Sequence, residues 1–276
     1  MLKKVAAIND LSGIGKCSLT VAIPILSALK VQCCPFPTAI LSSQTGFSQY
    51  TFLDLTDEMK KYSTVWKNLS LKIDTIFSGF LGSIDQIDVV SSFIKENPNS
   101  MVIVDPVLGD DGSMYPIFNE KTCVKMKELV KLSSLITPNL TEACLLTNKK
   151  YDTNFSNENL INIAKTLCDL GPKKVVITGI IRDDIIYNLS YDKEKNTHSF
   201  YGLKYDKRSY SGTGDIFVSI VCGLITNNYD LDFAVKTASD FIYKAVAFTT
   251  QYESDRNQGV MFEVFLNDLT SIHKNI

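Results

Sequence analysis

The chain has 276 residues, of which 45% are hydrophobic and 21% charged, and its net charge is −2. That balance belongs to a folded chain able to bury one large core and excludes disorder. No lysine- or arginine-rich stretch offers nucleic acid an electrostatic footprint, so a small-molecule partner is expected.

The apolar run at 5–8 is too short for a secretory segment, and no stretch nears the roughly 18 unbroken apolar residues of a membrane span, so a cytoplasmic location is expected. The seven cysteines are scattered without a C-x-x-C pair and read as reduced thiols. Strand-length apolar segments are predicted over 4–8, 31–39, 75–79, 101–104, 135–137 and 174–178. Helical periodicity falls between most of them, over 17–29, 57–71, 84–95, 120–132 and 157–170. This alternation predicts a doubly wound α/β fold: a mostly parallel sheet with helices on both faces. Beyond Thr178 the segments 185–191 and 197–203 alternate around a polar turn and predict an antiparallel hairpin at a sheet edge. Three helices should close the chain. Repeats and Pro/Gly-rich linkers are absent, so residues 1–276 are expected to form one domain.

An open α/β sheet binds its ligands beyond the carboxyl ends of its strands, where five polar clusters fall. Ser211-Gly212-Thr213-Gly214-Asp215 precedes the apolar run 216–225. A helix that apolar is buried, and its first turn presents unpaired amides and a positive dipole end that glycines allow an anion to approach. A carboxylate there repels phosphate unless it takes a proton from an attacking hydroxyl; an Asp N-cap in a glycine turn fits the pattern equally. The segment from Asp105 to Asp110 sets two hard oxygen donors beyond a strand, as Mg²⁺ with bound phosphate requires, or forms plain Asp-Pro and Asp-Gly turns. Asn139 and Glu142 have capping-box spacing, and Glu142 could also orient a metal-bound water. Asn9 to Cys17 is not a Walker A loop, because Asp10 replaces its first glycine and Cys17 its Ser/Thr; it is a glycine turn or a substrate-facing loop with Asp10 and Ser12. Ser42 to Phe47 is a polar loop containing Thr45. The two histidines, His198 and His273, have no motif around them, so a general base should be a carboxylate.

In order and spacing together, Gly212-Thr213-Gly214-Asp215, the Asp105-to-Asp110 segment, Ile136-to-Glu142 and the Ser12-Gly13 turn resemble the ribokinase-like superfamily and, within it, the pyridoxal/pyridoxamine kinases. The resemblance covers essentially the full length. It implies ATP-dependent phosphorylation of the 5′-hydroxymethyl group of pyridoxal, pyridoxamine or pyridoxine, with Mg²⁺, K⁺ as a further candidate cation, and a homodimer. By the same resemblance Asp215 is the base, and the amides of Gly212, Thr213 and Gly214 are the anion hole. Asp105, Thr137, Asn139, Glu142 and Thr178 would face the nucleotide, Asp110 and Glu142 the metal, and Asp10, Ser12 and Thr45 the vitamin.

Two departures matter. Asn9-Asp10 stands where many pyridoxal kinases have Ser, and Ser12-Gly13-x-Gly15 is closer to the hydroxymethylpyrimidine kinases of thiamin synthesis, which remain the alternative. A non-catalytic vitamin- or nucleotide-binding regulator is the alternative of another class, disfavoured by the intact Asp215. A sugar kinase would need lid strands near the N-terminus, where the chain has room only for a turn and a helix.

Overall fold

The computed structural model describes residues 2–205 and 207–273. Its strands are β1 (Lys4–Ser12), β2 (Gln32–Leu41), β3 (Phe52–Asp54), β4 (Thr75–Ser78), β5 (Met101–Val104), β6 (Gly109–Asp110), β7 (Ser113–Met114), β8 (Leu135–Ile136), β9 (Lys174–Arg182), β10 (Ile185–Asp192) and β11 (Thr197–Lys204). Its helices are α1 (Ser18–Ala28), α2 (Thr56–Asn68), α3 (Ile84–Glu96), α4 (Glu120–Val130), α5 (Leu140–Thr147), α6 (Asn157–Asp169), α7 (Thr213–Thr226), α8 (Leu231–Thr249) and the short α9 (Leu266–Thr270).

Nine strands form one sheet in the order β11-β10-β9-β8-β5-β4-β1-β2-β3, parallel from β9 to β2 and closed on one side by the antiparallel β10–β11 hairpin. Side-chain alternation along each strand divides the core. Ala6, Ile8, Val102, Val104, Val175 and Ile177 pack toward α2 to α6, whereas Val5, Ala7, Ile103 and Val176 pack toward α1, α7 and α8. This is why the strands read as continuous apolar runs. The chain leaves β1 for β2 and β3, then crosses to β4 on the other side of β1. That reversal opens a crevice between the carboxyl ends of β1 and β4, where open sheets bind ligands.

The predicted sheet and edge hairpin are present, with differences at the site. β1 runs to Ser12 and β9 to Arg182, each past a register irregularity: between Asn9 and Leu11 in one, and opposite Asn188 in the other. Bulges of this kind re-aim side chains beside functional sites. α5 was not expected as a helix, although its cap was read. The pairs β2–β3 and β6–β7 were also missed, because strands of two or three residues carry no periodicity. All seven cysteines are free. No helix among the described residues is long and apolar enough to cross a membrane.

Candidate active site

Asp215 lies in the first turn of α7. Gly212 caps that helix in the left-handed region, at φ 79°, and a Cβ there would come within 2.0 Å of the Lys16 carbonyl oxygen. Only glycine lets the two loops touch so closely. The first helical bond of this turn is Ile216 N–H to the Gly212 carbonyl, so the amides of Gly212, Thr213, Gly214 and Asp215 lie ahead of the helical ladder. Gly214 is exposed, with nothing within 4 Å of where its Cβ would be. The result is an open helix N-terminus whose backbone can close on an anion. Thr213 turns its hydroxyl back to the Tyr210 carbonyl, 3.1 Å away.

The Asp215 carboxylate is not a cap of its own helix. It accepts the Ser18 amide at the start of α1 and the Asn9 side-chain amide from β1, the latter at 3.3 Å. Burial, followed by the neighbouring charge of Asp10, raises its pKa to about 6 against the lowering effect of those two donors. Of the two readings the sequence left open, the N-cap is not the one formed, since Gly212 occupies that position and no side chain caps the helix.

Asp10 is buried and receives the hydroxyls of Ser12, at 2.7 Å, and Ser18, at 2.5 Å, on its two oxygens. Asp10 and Ser12, expected to face a substrate, therefore first brace the connection from β1 to α1. Thr45 is exposed and outside this network. Its neighbour Gln44 makes the link instead, donating to Ser211 Oγ and to the Asn257 carbonyl, each at 3.2 Å.

Across the crevice, Asp105 follows β5 and takes a hydrogen bond from Thr137 Oγ1 at 3.1 Å. Its pKa is pushed up to about 8, by burial first and by Asp215 second. Asn139 and Glu142 form the capping box of α5, and the second Glu142 oxygen also accepts the Leu108 amide at 3.1 Å. Glu142 thus serves as cap and brace, with one hydrogen bond on each oxygen. Asn139 also donates to the Gly109 carbonyl at 2.8 Å, pinning the β6–β7 hairpin that carries Asp110. Thr178 joins this side through its amide, which donates to the Pro138 carbonyl.

Asp10, Asp105, Asp110, Glu142 and Asp215 all have raised pKa values, with burial as the first cause in each, and several raise one another. Tyr115 feels four of them, and Arg256 partly offsets Asp110. Such a concentration of carboxyl groups, wherever it ionises, repels a phosphate unless a cation accompanies it. Among the described residues, no three His, Cys, Asp or Glu side chains converge into a metal cage. The donor set nonetheless suits Mg²⁺, which is held by one or two carboxylates together with substrate phosphates and water.

Sequence reasoning missed Asn9, Ser18, Gln44, Tyr115 and Arg256. A signal existed for Asn9, which continues the alternation of Val5 and Ala7 and so points to the face that α7 covers. The others come from loops and helix starts that meet only in three dimensions. His198 lies on the β11 edge strand, beside Phe200 and outside this cluster; the side chain of His273 lies outside the described residues.

The phosphomethylpyrimidine kinase family model matches residues 23–261. A protein from Bacteroides thetaiotaomicron, classed with the phosphomethylpyrimidine kinases and crystallised with pyridoxal, is 39% identical and superposes with a TM-score of 0.94 over 98% of this chain and 96% of its own. The pyridoxal kinase of Lactobacillus plantarum is 29% identical, with a TM-score of 0.92 over 99% of both chains. The pyridoxal kinase of Arabidopsis thaliana is 33% identical over 59% of this chain, and the match spans about half, 54%, of that relative's length.

Proposed function

Since this chain belongs to the phosphomethylpyrimidine kinase family, we propose that it is a ribokinase-like kinase transferring the γ-phosphoryl group of ATP to the 5′-hydroxymethyl group of pyridoxal, pyridoxamine or pyridoxine. The observation that carries this reading is the pairing of an open helix N-terminus with a carboxylate held against Asn9 at the carboxyl end of β1, its pKa raised to about 6. A site built only to hold phosphate gains nothing from that carboxylate. A site that must also deprotonate an alcohol needs it.

In this account Asp215 accepts the hydroxyl proton, held in place by Asn9 and the Ser18 amide. The amides of Gly212, Thr213 and Gly214 meet the phosphoryl charge, so positioning and electrostatics supply most of the rate. Asp105, Thr137, Asn139 and Thr178 line the nucleotide side. Asp110, with the charge of Glu142 behind it, would hold Mg²⁺, which neutralises phosphate charge when bound. Asp10, Ser12 and the loop containing Thr45 border the vitamin side.

The family description names a pyrimidine phosphate ester, and the relative from Aquifex aeolicus is a kinase of the hydroxymethylpyrimidine alcohol as well. The pyridoxal-bound neighbour supports the vitamin as substrate, by likeness to a protein that shares 39% of its residues with this one. Incubating the purified protein with Mg²⁺-ATP and each vitamer tests the proposal, with hydroxymethylpyrimidine added as competitor. Formation of the 5′-phosphates is the expected result. Failure with all three vitamers, or preferential phosphorylation of the pyrimidine, would replace the reading.

The reading extends to a single domain over 1–276, supported by the continuous sheet from β11 to β3. It includes a cytoplasmic location, supported by seven free thiols, and K⁺ as an activating cation, to be tested by exchange for Na⁺. It also includes a homodimer, supported by exposed Ile40, Phe52 and Leu53 along the β2–β3 edge.

A further inference from the structure

Asn9 is buried, 1% exposed, at the point where β1 loses register with β2, and its side chain is fixed by three contacts. Its Oδ1 accepts the amide of Asp10 at 3.0 Å and the amide of Phe80 at 2.9 Å, the second from across the crevice. With the oxygen held by two backbone donors, the amide cannot flip, and Nδ2 must face Asp215 Oδ1, 3.3 Å away. Gly79 makes room for this arrangement, since a Cβ there would stand 2.3 Å from Nδ2. A buried polar side chain in the first strand is thereby locked by main chain in the one orientation that donates to the carboxylate of α7.

We propose that Asn9 is a positioning residue of the phosphoryl-transfer site, whose locked amide aims the Asp215 carboxylate into the cleft and holds it in its ionised form. The proposal rests on the reading of Asp215 as base. The groups facing Asp215 are Asp10 from β1, Cys17 before α1, Asp105 after β5 and Tyr115 after β7, and none of them supplies a positive charge. Two donors therefore stand against burial and negative neighbours: the Ser18 amide, fixed by the backbone, and Asn9, fixed by its own two acceptor contacts.

Asn9→Asp isolates the effect, because a carboxylate keeps both accepted amide bonds and the shape while replacing the donor by a second negative oxygen facing Asp215. The acid limb of kcat against pH is expected to move up by about 1 pH unit or more, the size of shift a like charge at this range produces, with KM for ATP little changed. Asn9→Ser, too short to reach Asp215, should move the limb in the same direction by less. An acid limb unmoved in a folded, active variant overturns the proposal. A measurement on the unaltered protein guards against variants that fail to fold: the side-chain amide proton resonances of Asn9 should titrate near pH 6 and lose that titration in Asp215→Asn. Asn9 resonances insensitive to pH across that range overturn the proposal whether or not the protein phosphorylates a vitamer. Absence of kinase activity in the unaltered protein, with the Asn9 titration intact, overturns the functional reading instead.

Discussion

At the scale of the residue, the chemistry turns on a carboxylate that the fold does not favour in its charged form. The Asp215 pKa is raised from 3.8 to about 6, so the protonated acid suits the folded state and the ionised base costs stability. The cost is absent below about pH 4, where both states are protonated, and fully present above about pH 6. Asp215→Asn should therefore raise unfolding free energy at pH 8 by on the order of 1–3 kcal/mol, a gain that shrinks as pH falls through 6 toward 4. Urea unfolding at pH 8 and pH 5 measures it, and equal gains at both would remove the linkage. Because only the ionised form accepts a proton, kcat of the unaltered enzyme should fall about tenfold per pH unit below pH 6. A flat profile between pH 5 and 8 would mean that Asp215 is not the base. The motif was legible in the sequence as a candidate, but the shift was not, since its causes sit in β1 and α1, some 200 residues away along the chain.

At the scale of the element, the N-terminus of α7 is a contact between two loops before it is an anion site. Gly212 meets the Lys16 carbonyl in a segment already holding Lys16 at φ 49° and Ser18 at φ 54°. Gly212→Ala combines positive φ with a backbone clash, so it should cost on the order of 1–3 kcal/mol and take most of the activity with it. Gly214→Ala should fold as the parent does, because open space surrounds that position, and any loss should appear in catalysis alone. Thermal melts beside steady-state kinetics separate the two. Comparable melting temperatures for both variants would contradict the account. The sequence showed that two glycines precede a buried helix, but not which closes a loop contact and which stays open. α5 shows the same limit: its capping box was readable from Asn139 and Glu142, yet its eight residues are too few to stand out as a helical period.

At the scale of the whole molecule, most of the architecture was legible because burial on both faces writes strands as apolar runs and helices as stripes. The order of those runs predicts a doubly wound sheet, and its reversal between β1 and β4 fixes where the crevice opens. What the pattern does not contain is how five loops from distant parts of the chain converge there. Bulges in β1 and β9 and the β6–β7 hairpin bring Asn9, Thr178 and Asp110 to one rim, and each depends on local irregularity rather than on period. The crevice gathers acidic groups from β1, the segment after β5, β6, α5 and α7, so nucleotide affinity should depend steeply on divalent cation. Chelation with EDTA should weaken ATP binding by tenfold or more, whereas unchanged affinity would mean that these carboxylates do not face the phosphates.

The most direct test of the account is the rate of pyridoxal 5′-phosphate formation from pyridoxal and Mg²⁺-ATP at pH 8, measured for the unaltered protein and for Asp215→Asn, with ATP binding measured on both. The account predicts turnover by the unaltered protein, a loss of about 10²-fold or more in the variant, and ATP affinity that is nearly the same in each. Comparable turnover by the two proteins, or none by the unaltered one, would contradict it.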